Sequence, residues 1–408
     1  MLNRVWLAFF SASLLAIMLR LGQGDTSVLS TAVDGLFASA KLAAEIALGL
    51  IGVLALWMGL MRVGEKAGMV AMLARVTEPL LARLMPEVPR GHPAFGSVTM
   101  NLTANVLGLD NAATPLGLKA MNDLQSINPL KDTASNAQIL FLVLNTSSVT
   151  LVPVTVFLYR AQQGAASPAD VFLPILLATS ASTLAGLLAV ALVQRLPLLS
   201  TVVLGYAALG IGSLSALVFF LGTLAADEIA RVSGVMGNGV LLALIFVFVL
   251  GASIRKVAIY DEFIEGAKEG FGQAIKLIPF LLAMLLAIGL LRSSGVLDYL
   301  LSAIAGLVSL FGLDTRFVDA MPTALMKPFS GSGARAMMLE TMAHQGVDSF
   351  AGRLAAVLQG STETTFYVLA VYFGAVGIKY SRHAVGCALT ADVAGILAAI
   401  GVCYWFYG

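Results

Sequence analysis

Charge is scarce in this chain. Lys and Arg number 24 and Asp and Glu 23 in 408 residues. The charged share is 12%, against about 25% in a soluble domain. The net charge of +1 gives no hint of a nucleic-acid partner. Cysteine is nearly absent. Cys387 and Cys403 sit in apolar C-terminal stretches without CxxC or metal-ligand spacing, and read as buried inert thiols. His92, His344 and His383 are scattered and form no zinc pattern. No metal centre and no cofactor is expected. No Ser/His/Asp set or pair of catalytic carboxylates emerges, so an enzyme is not expected either.

What the chain has is apolar length. Hydrophobic residues make up 59% of it, and the mean hydropathy is +0.91. Many runs reach the roughly 20 residues that cross a bilayer. The basic, apolar N-terminus reads as a retained first helix over 5–21. The small residues Ser11, Ala12 and Ser13 lie inside its apolar core rather than after it, which opposes a cleaved signal peptide. A polar link to about Ser39 and a second span over 42–61 follow. Arg62 to Pro93, with Arg62, Lys66, Arg75, Arg83 and Arg90, reads as an interfacial helix pair. Plainer spans are expected over 172–193, 202–224, 240–251, 274–291 and 383–407. Amphipathic links are expected over 255–273 and 293–319.

Four stretches interrupt this pattern. Residues 94–121 are too polar for a lipid-facing span and break at Gly108-Leu109-Asp110-Asn111. A re-entrant hairpin is expected there, with Asp110 or Asn111 capping the second arm and Pro115 in its first turn. The run over 137–160 carries Asn145-Thr146-Ser147-Ser148 near its middle and Pro153 beyond. Leu325 to Met342 contains KPFSGSG, and Leu354 to Gly374 contains QGSTETT. A broken backbone in a bilayer survives only inside protein or along a polar cavity. In transporters such breaks often build the solute site.

Two copies of one plan are visible. VDGLFASAK at 33–41 matches YDEFIEGAK at 260–268, and LVLNTSSVTLVPVTVFLY at 142–159 aligns with VLQGSTETTFYVLAVYFG at 357–374. If both hairpins are re-entrant, the spans opening the two copies are separated by an odd number of crossings and run antiparallel. The fold expected is an all-α polytopic membrane protein with two inverted-topology repeats, re-entrant hairpins and discontinuous helices. The divisions are an N-terminal helix over 1–30, a first repeat over 31–195, connecting helices over 196–257 and a second repeat over 258–408. Basic residues of 62–131, with Arg195, Arg255, Lys256, Lys268, Lys379 and Arg382, place those loops inside. Arg160, Arg231, Arg292 and Arg316 remain as single basic residues outside. The N-terminus is then cytoplasmic and the C-terminus outside.

The polar residues at the breaks are the candidate solute site. In the first repeat they are Asn101, Asn105, Asp110, Asn111, Asn145, Thr146, Ser147 and Ser148. In the second they are Lys327, Ser330, Ser332, Gln359, Ser361, Thr362, Glu363 and Thr364. Amides and hydroxyls both donate and accept, and suit a neutral polar or zwitterionic solute or a partly dehydrated cation. Charges inside membrane segments are costly and suggest function. Glu363 and Asp392 are the candidate coupling-ion carboxylates. Asn105, Asn145, Lys327 and Glu363 are the residues expected nearest the solute. The Gly331 and Gly333 turn lacks the spacing of a nucleotide-binding loop.

These motifs carry a resemblance. NLTANVLGLDNAATPLGLKAM and the 142–160 stretch resemble the spore maturation protein A family. LMKPFSGSGARAMMLETM, the 349–383 stretch and the final span resemble the spore maturation protein B family. The chain looks like a natural fusion of the two, within the wider set of nucleoside-recognition or gate domains. That set also takes in concentrative nucleoside transporters and the membrane part of the ferrous iron transporter. The resemblance implies helical gate repeats in the inner (plasma) membrane, and in spore formers a tie to dehydration of the spore core. The iron transporter's gates offer Cys ligands, whereas neither broken pair here holds a Cys or a His. The expected function is alternating-access transport of a small polar solute across the lipid bilayer, with H⁺ or Na⁺ as candidate coupling ions. The other reading is a non-transporting scaffold or regulator of envelope or spore-core assembly. Homo-oligomerisation stays open.

Overall fold

The computed structural model describes the backbone of residues 2–106, 110–147, 150 and 153–408, and the side chains of these except 2–5, 110–112, 226, 227, 273 and 277. Among the described residues every regular element is helical, and the one isolated bridge joins Thr133 to Tyr380. The order is α1 (Leu2–Gly22), α2 (Ser27–Lys66), α3 (Met69–Leu84), α4 (Pro93–Val106), α5 (Asp110–Ser126), α6 (Asn136–Ser147), α7 (Val154–Gln162) and α8 (Phe172–Gln194). Then come α9 (Thr201–Leu221), α10 (Ala226–Ile254), α11 (Ile259–Ser293), α12 (Val296–Ser309), α13 (Met321–Met326), α14 (Gly331–Gln345), α15 (Phe350–Ser361), α16 (Thr365–Ala375) and α17 (Ala384–Tyr407). Among the described residues, stretches of α2, α8, α9, α10, α11 and α17 are long and apolar enough to cross a membrane.

The longest helices form the frame. At ~1.5 Å per residue, the 40 residues of α2 and the 35 of α11 exceed a hydrocarbon core of about 30 Å. They pack antiparallel: Gly35 lies beside Ser293, Gly59 beside Phe263, and Arg62 pairs with Glu262 at 2.8 Å. Backbone approach sets this seam. A Cβ on Gly266 would lie 2.5 Å from the Met58 carbonyl oxygen, and one on Gly270 2.5 Å from that of Leu54. Small residues permit such contact where lipid supplies no hydrophobic drive between helices.

Several boundaries differ from the sequence expectation. The polar link before Ser39 is the N-terminal part of α2, which begins at Ser27. Arg62 and Lys66 close α2, so the expected interfacial pair is one helix, α3. The expected link at 255–273 and span at 274–291 are one helix, α11, and α12 occupies much of 293–319. The span at 240–251 is the second half of the longer α10. Polarity suggested links here because charge in an apolar chain reads as loop. The partner helix along the whole length of α2 and α11 holds these segments helical instead. Pro115 falls in the second turn of α5 rather than its first. The expected break at 108–109 and the caps by Asp110 or Asn111 lie outside the described residues.

The discontinuities do appear. α6 stops at Ser147 and α7 begins at Val154. α15 stops at Ser361 and α16 begins at Thr365. Helices α4, α5 and α14, with 14, 17 and 15 residues, rise only about 21–26 Å, too short to cross. Helices α8 and α17 run antiparallel at the centre, where Ser182 Oγ donates to the Ala391 carbonyl at 2.9 Å and Gly395 meets Thr362 and Ser182.

The two ends of this bundle close differently. At one end Arg160, fully buried, donates to Asp170 at 2.9 Å and Asp348 at 3.0 Å, and Arg353 donates to Asp170 at 2.9 Å. Arg160 also donates to the Pro168, Val347 and Ser167 carbonyls. At the other end the links run to backbone carbonyls and a ring nitrogen: Lys379 N and Tyr380 N donate to the Asp132 carbonyl, the Arg382 guanidinium to the Ala134 carbonyl at 3.0 Å, and Gln194 reaches His383 at 3.0 Å.

Candidate functional site

The breaks meet at one cavity of about 250 Å³. Asn105 and Asn145 line it from one half, and Lys327, Arg335, Gln359 and Glu363 from the other. Pockets for drug-sized ligands span roughly 300–1,000 Å³, so this cavity is smaller than those. First-turn residues of α7, α14 and α16 reach the cavity wall through Val154, Gly331 and Tyr367. Their N-terminal ends, with positive partial charge, border it.

An amide chain forms the first wall. Asn105 Nδ2 donates to Asn145 Oδ1 at 2.8 Å, and Asn145 Nδ2 donates to the Phe141 carbonyl at 2.9 Å. The Tyr372 hydroxyl donates to the same Asn145 oxygen at 3.5 Å. Behind it, buried Asn101 donates to the Ala113 carbonyl at 2.7 Å and to Tyr372 at 3.4 Å. The amides are oriented by partners, as pre-set binding groups must be.

The second wall carries charge. Lys327 is buried and donates to the Gln359 carbonyl at 2.7 Å. This answers the backbone at the end of α15, where helical carbonyls run out. The Gln359 side-chain oxygen is buried without a hydrogen-bond partner among the described residues. The Arg335 guanidinium lies 5.4 Å from the Tyr159 ring centre, a cation–π contact. The Glu363 carboxylate is half-buried on the cavity wall, while Glu363 N donates to the Thr146 carbonyl at 2.8 Å. That bond joins the two broken helices directly.

The family comparison bears on this geometry. The Gate model, described as nucleoside recognition, matches residues 47–162 and again 274–379. The chain belongs to the Gate family. Spore maturation protein B of Bacillus subtilis (strain 168) is 43% identical over 175 residues, 42% of this chain and 97% of that protein. Spore maturation protein A of the same strain is 38% identical over 179 residues, 44% of this chain and 88% of that protein. Every cavity-lining residue falls inside one of the two matched gate regions, and both regions contribute.

The remaining candidates stand around the cavity rather than on its wall. Thr146 and Ser361 return their hydroxyls to the Val143 and Leu358 carbonyls one turn back. Ser147 does so to Leu144 at 3.5 Å, and its own carbonyl accepts from Thr183 at 3.2 Å. Ser330 caps α14 by accepting from Gly333 N at 3.0 Å, with Ser332 beside it. Thr362 packs on Gly395, and Thr364 is the residue preceding α16. Asp392 is buried in α17 and accepts from Thr365 at 2.7 Å. Ser148 and the side chains of Asp110 and Asn111 lie outside the described residues. Sequence reading missed Tyr159, Tyr367 and Tyr372. Their signal, a tyrosine inside an apolar helix rather than at its end, resembles an ordinary interfacial anchor.

Proposed function

We propose that this gate protein is an inner-membrane permease that carries a small polar solute by alternating access. The observation that carries the reading is the shared cavity, with amides from one gate region and both signs of charge from the other. Amides and charges of both signs around one cavity suit binding of a polar molecule. The size and the mix of amide, hydroxyl, tyrosine and charge suit a polar or zwitterionic molecule. The Gate description points to nucleosides as one class to try.

Inverted repeats are the second part of the proposal, and the seam between α2 and α11 supports them. Its contacts come in exchanged pairs. Gly35 beside Ser293 is mirrored by Glu262 beside Lys66, and Ser39 beside Gly289 by Gly266 beside Arg62. Each pair trades a residue of α2 for its counterpart in α11. Two halves related in this way can rock about a central site. With the basic loops at Arg83, Arg90, Lys131, Arg195, Lys379 and Arg382 inside, the C-terminus lies outside.

The test needs no known solute. Cys387 and Cys403 are replaced by Ala, and a single cysteine is placed on the wall as Thr155→Cys or Val368→Cys. A permease lets membrane-impermeant thiol reagents reach that cysteine from each face in turn. Labelling from one face only, or from neither, would contradict alternating access and favour a scaffold. Once a solute is in hand, Glu363→Gln is expected to abolish its transport while the protein still folds.

A further inference from the structure

Asp392 is the sole charged residue of α17, and it sits away from the solute cavity. It is 2% exposed. One carboxyl oxygen accepts from Thr365 Oγ1 at 2.7 Å, and the other is buried with no hydrogen-bond partner among the described residues. No ion pair with it occurs among the described residues. An ionised carboxylate with a bare oxygen in this setting is very costly, and such a group takes up a proton or a cation instead. Its surroundings are polar but uncharged: Ser182 donates to the adjoining Ala391 carbonyl, and Thr362 packs one turn on, against Gly395.

Few titratable groups face it. Among the elements packed on α17, helices α6 and α8 carry none. α15 carries Arg353 at its far end, bound to Asp170. α16 carries Tyr367 and Tyr372, and α10 has Asp227, Glu228 and Arg231 in its first two turns. On α17 itself there are Cys387, Cys403 and the tyrosines of the last turn. Lys327, buried at the same break, donates to the Gln359 carbonyl. With one hydroxyl donor on one oxygen and no second carboxylate, the described ligand set is thin for a metal cation and sufficient for a proton.

We propose that Asp392 is a proton-carrying carboxyl at the second helix break, loaded and unloaded as the first turn of α16 shifts. The physical link is Thr365, the first residue of α16, whose hydroxyl is the partner of Asp392. Two residues earlier, Glu363 N holds the Thr146 carbonyl of the other broken helix. Movement at the cavity therefore alters the hydrogen bond that favours the ionised form of Asp392. The idea rests on the permease reading and names its coupling ion.

Infrared difference spectroscopy of the reconstituted protein during a pH titration tests this without any solute. The wild type is expected to show a protonated-carboxyl carbonyl band that Asp392→Asn lacks and Glu363→Gln keeps. Thr365→Val, which deletes the donor to the carboxylate, is expected to keep the band and move its titration to higher pH. Amide exchange across 362–368 is expected to depend on pH in the wild type and to lose that dependence in Asp392→Asn. A band that persists in Asp392→Asn overturns the proposal. So does a titration unmoved in Thr365→Val, a readout that stands even if Asp392→Asn fails to fold. A titration that shifts with Na⁺ at constant ionic strength replaces the proton by sodium and also overturns it. None of these outcomes depends on flux, so a failed thiol-accessibility test refutes the permease separately.

Discussion

Replacing Arg160 by Met should be among the most destabilising changes outside the helix seams. The Arg160 side chain is fully buried and donates to Asp170, Asp348, Val347 O and Pro168 O. The substitution keeps most of the apolar stem and removes every one of these bonds. Asp170, with 4% of its side chain exposed, would keep only Arg353 as an ionic partner. Breaking a buried pair by removing one partner costs about 3–5 kcal/mol. The surviving Arg353 contact places this case near the lower end, ~3 kcal/mol. Arg353→Met should cost less, about 1 kcal/mol, because a quarter of that side chain is exposed and water screens the pair. Adding Asp170→Asn to Arg160→Met should recover about 1–2 kcal/mol by discharging the stranded carboxylate. Denaturant unfolding in mild detergent, followed by helical circular dichroism, reads all three. If Arg160→Met proves no more harmful than Arg353→Met, the argument from burial is wrong.

Gly270→Val should separate α2 from α11, since its Cβ would meet the Leu54 carbonyl oxygen at 2.5 Å; little folded protein in size-exclusion chromatography is the expected result, and a normal yield would show that the seam yields easily. His383, at the start of α17, is held below its ordinary value by burial and then by Arg382, while Gln194 contacts its ring. The fold therefore disfavours the imidazolium. That share of stability is present above the ordinary histidine value of about 6.5 and is lost as pH falls below it. Melting curves between neutral and mildly acid pH should fall more steeply for the wild type than for His383→Asn. Asn145→Ala should weaken any solute bound in the cavity and cost about 1–3 kcal/mol of stability in denaturant unfolding, because Asn105 and Tyr372 lose a shared acceptor that is only 3% exposed.

How far the sequence reached follows from what kind of signal each feature leaves. The breaks at 327–331 and 361–365 were legible because Gly, Ser and Thr clusters stand out in apolar runs. So was the antiparallel sense of the two opening helices, through counted crossings. The full extent of α2 was not. Asp34, Lys41 and Glu45 look like loop chemistry, and only the partner helix lying along them makes the segment one helix. The burial of Arg160 was not legible for a related reason. A single arginine after an apolar run carries no sign of burial, and its partners come from two loops, Asp170 ten residues on and Asp348 far along the chain. At the site, Asn105 and Asn145 were readable as amides in membrane helices. Their junction with Tyr372 required the two halves to be brought together in space.

A thermal-shift screen tests the central claim most directly. The purified protein in detergent is heated with nucleosides, amino acids or organic acids, beside Asn145→Ala and Glu363→Gln. A ligand that binds only the folded state raises the melting temperature by mass action, by about 2.7 kcal/mol of stability at a hundredfold excess over Kd. The account predicts a small polar molecule that stabilises the wild type and loses its effect in both variants. A ligand that stabilises all three proteins equally would place the binding site elsewhere and contradict the account.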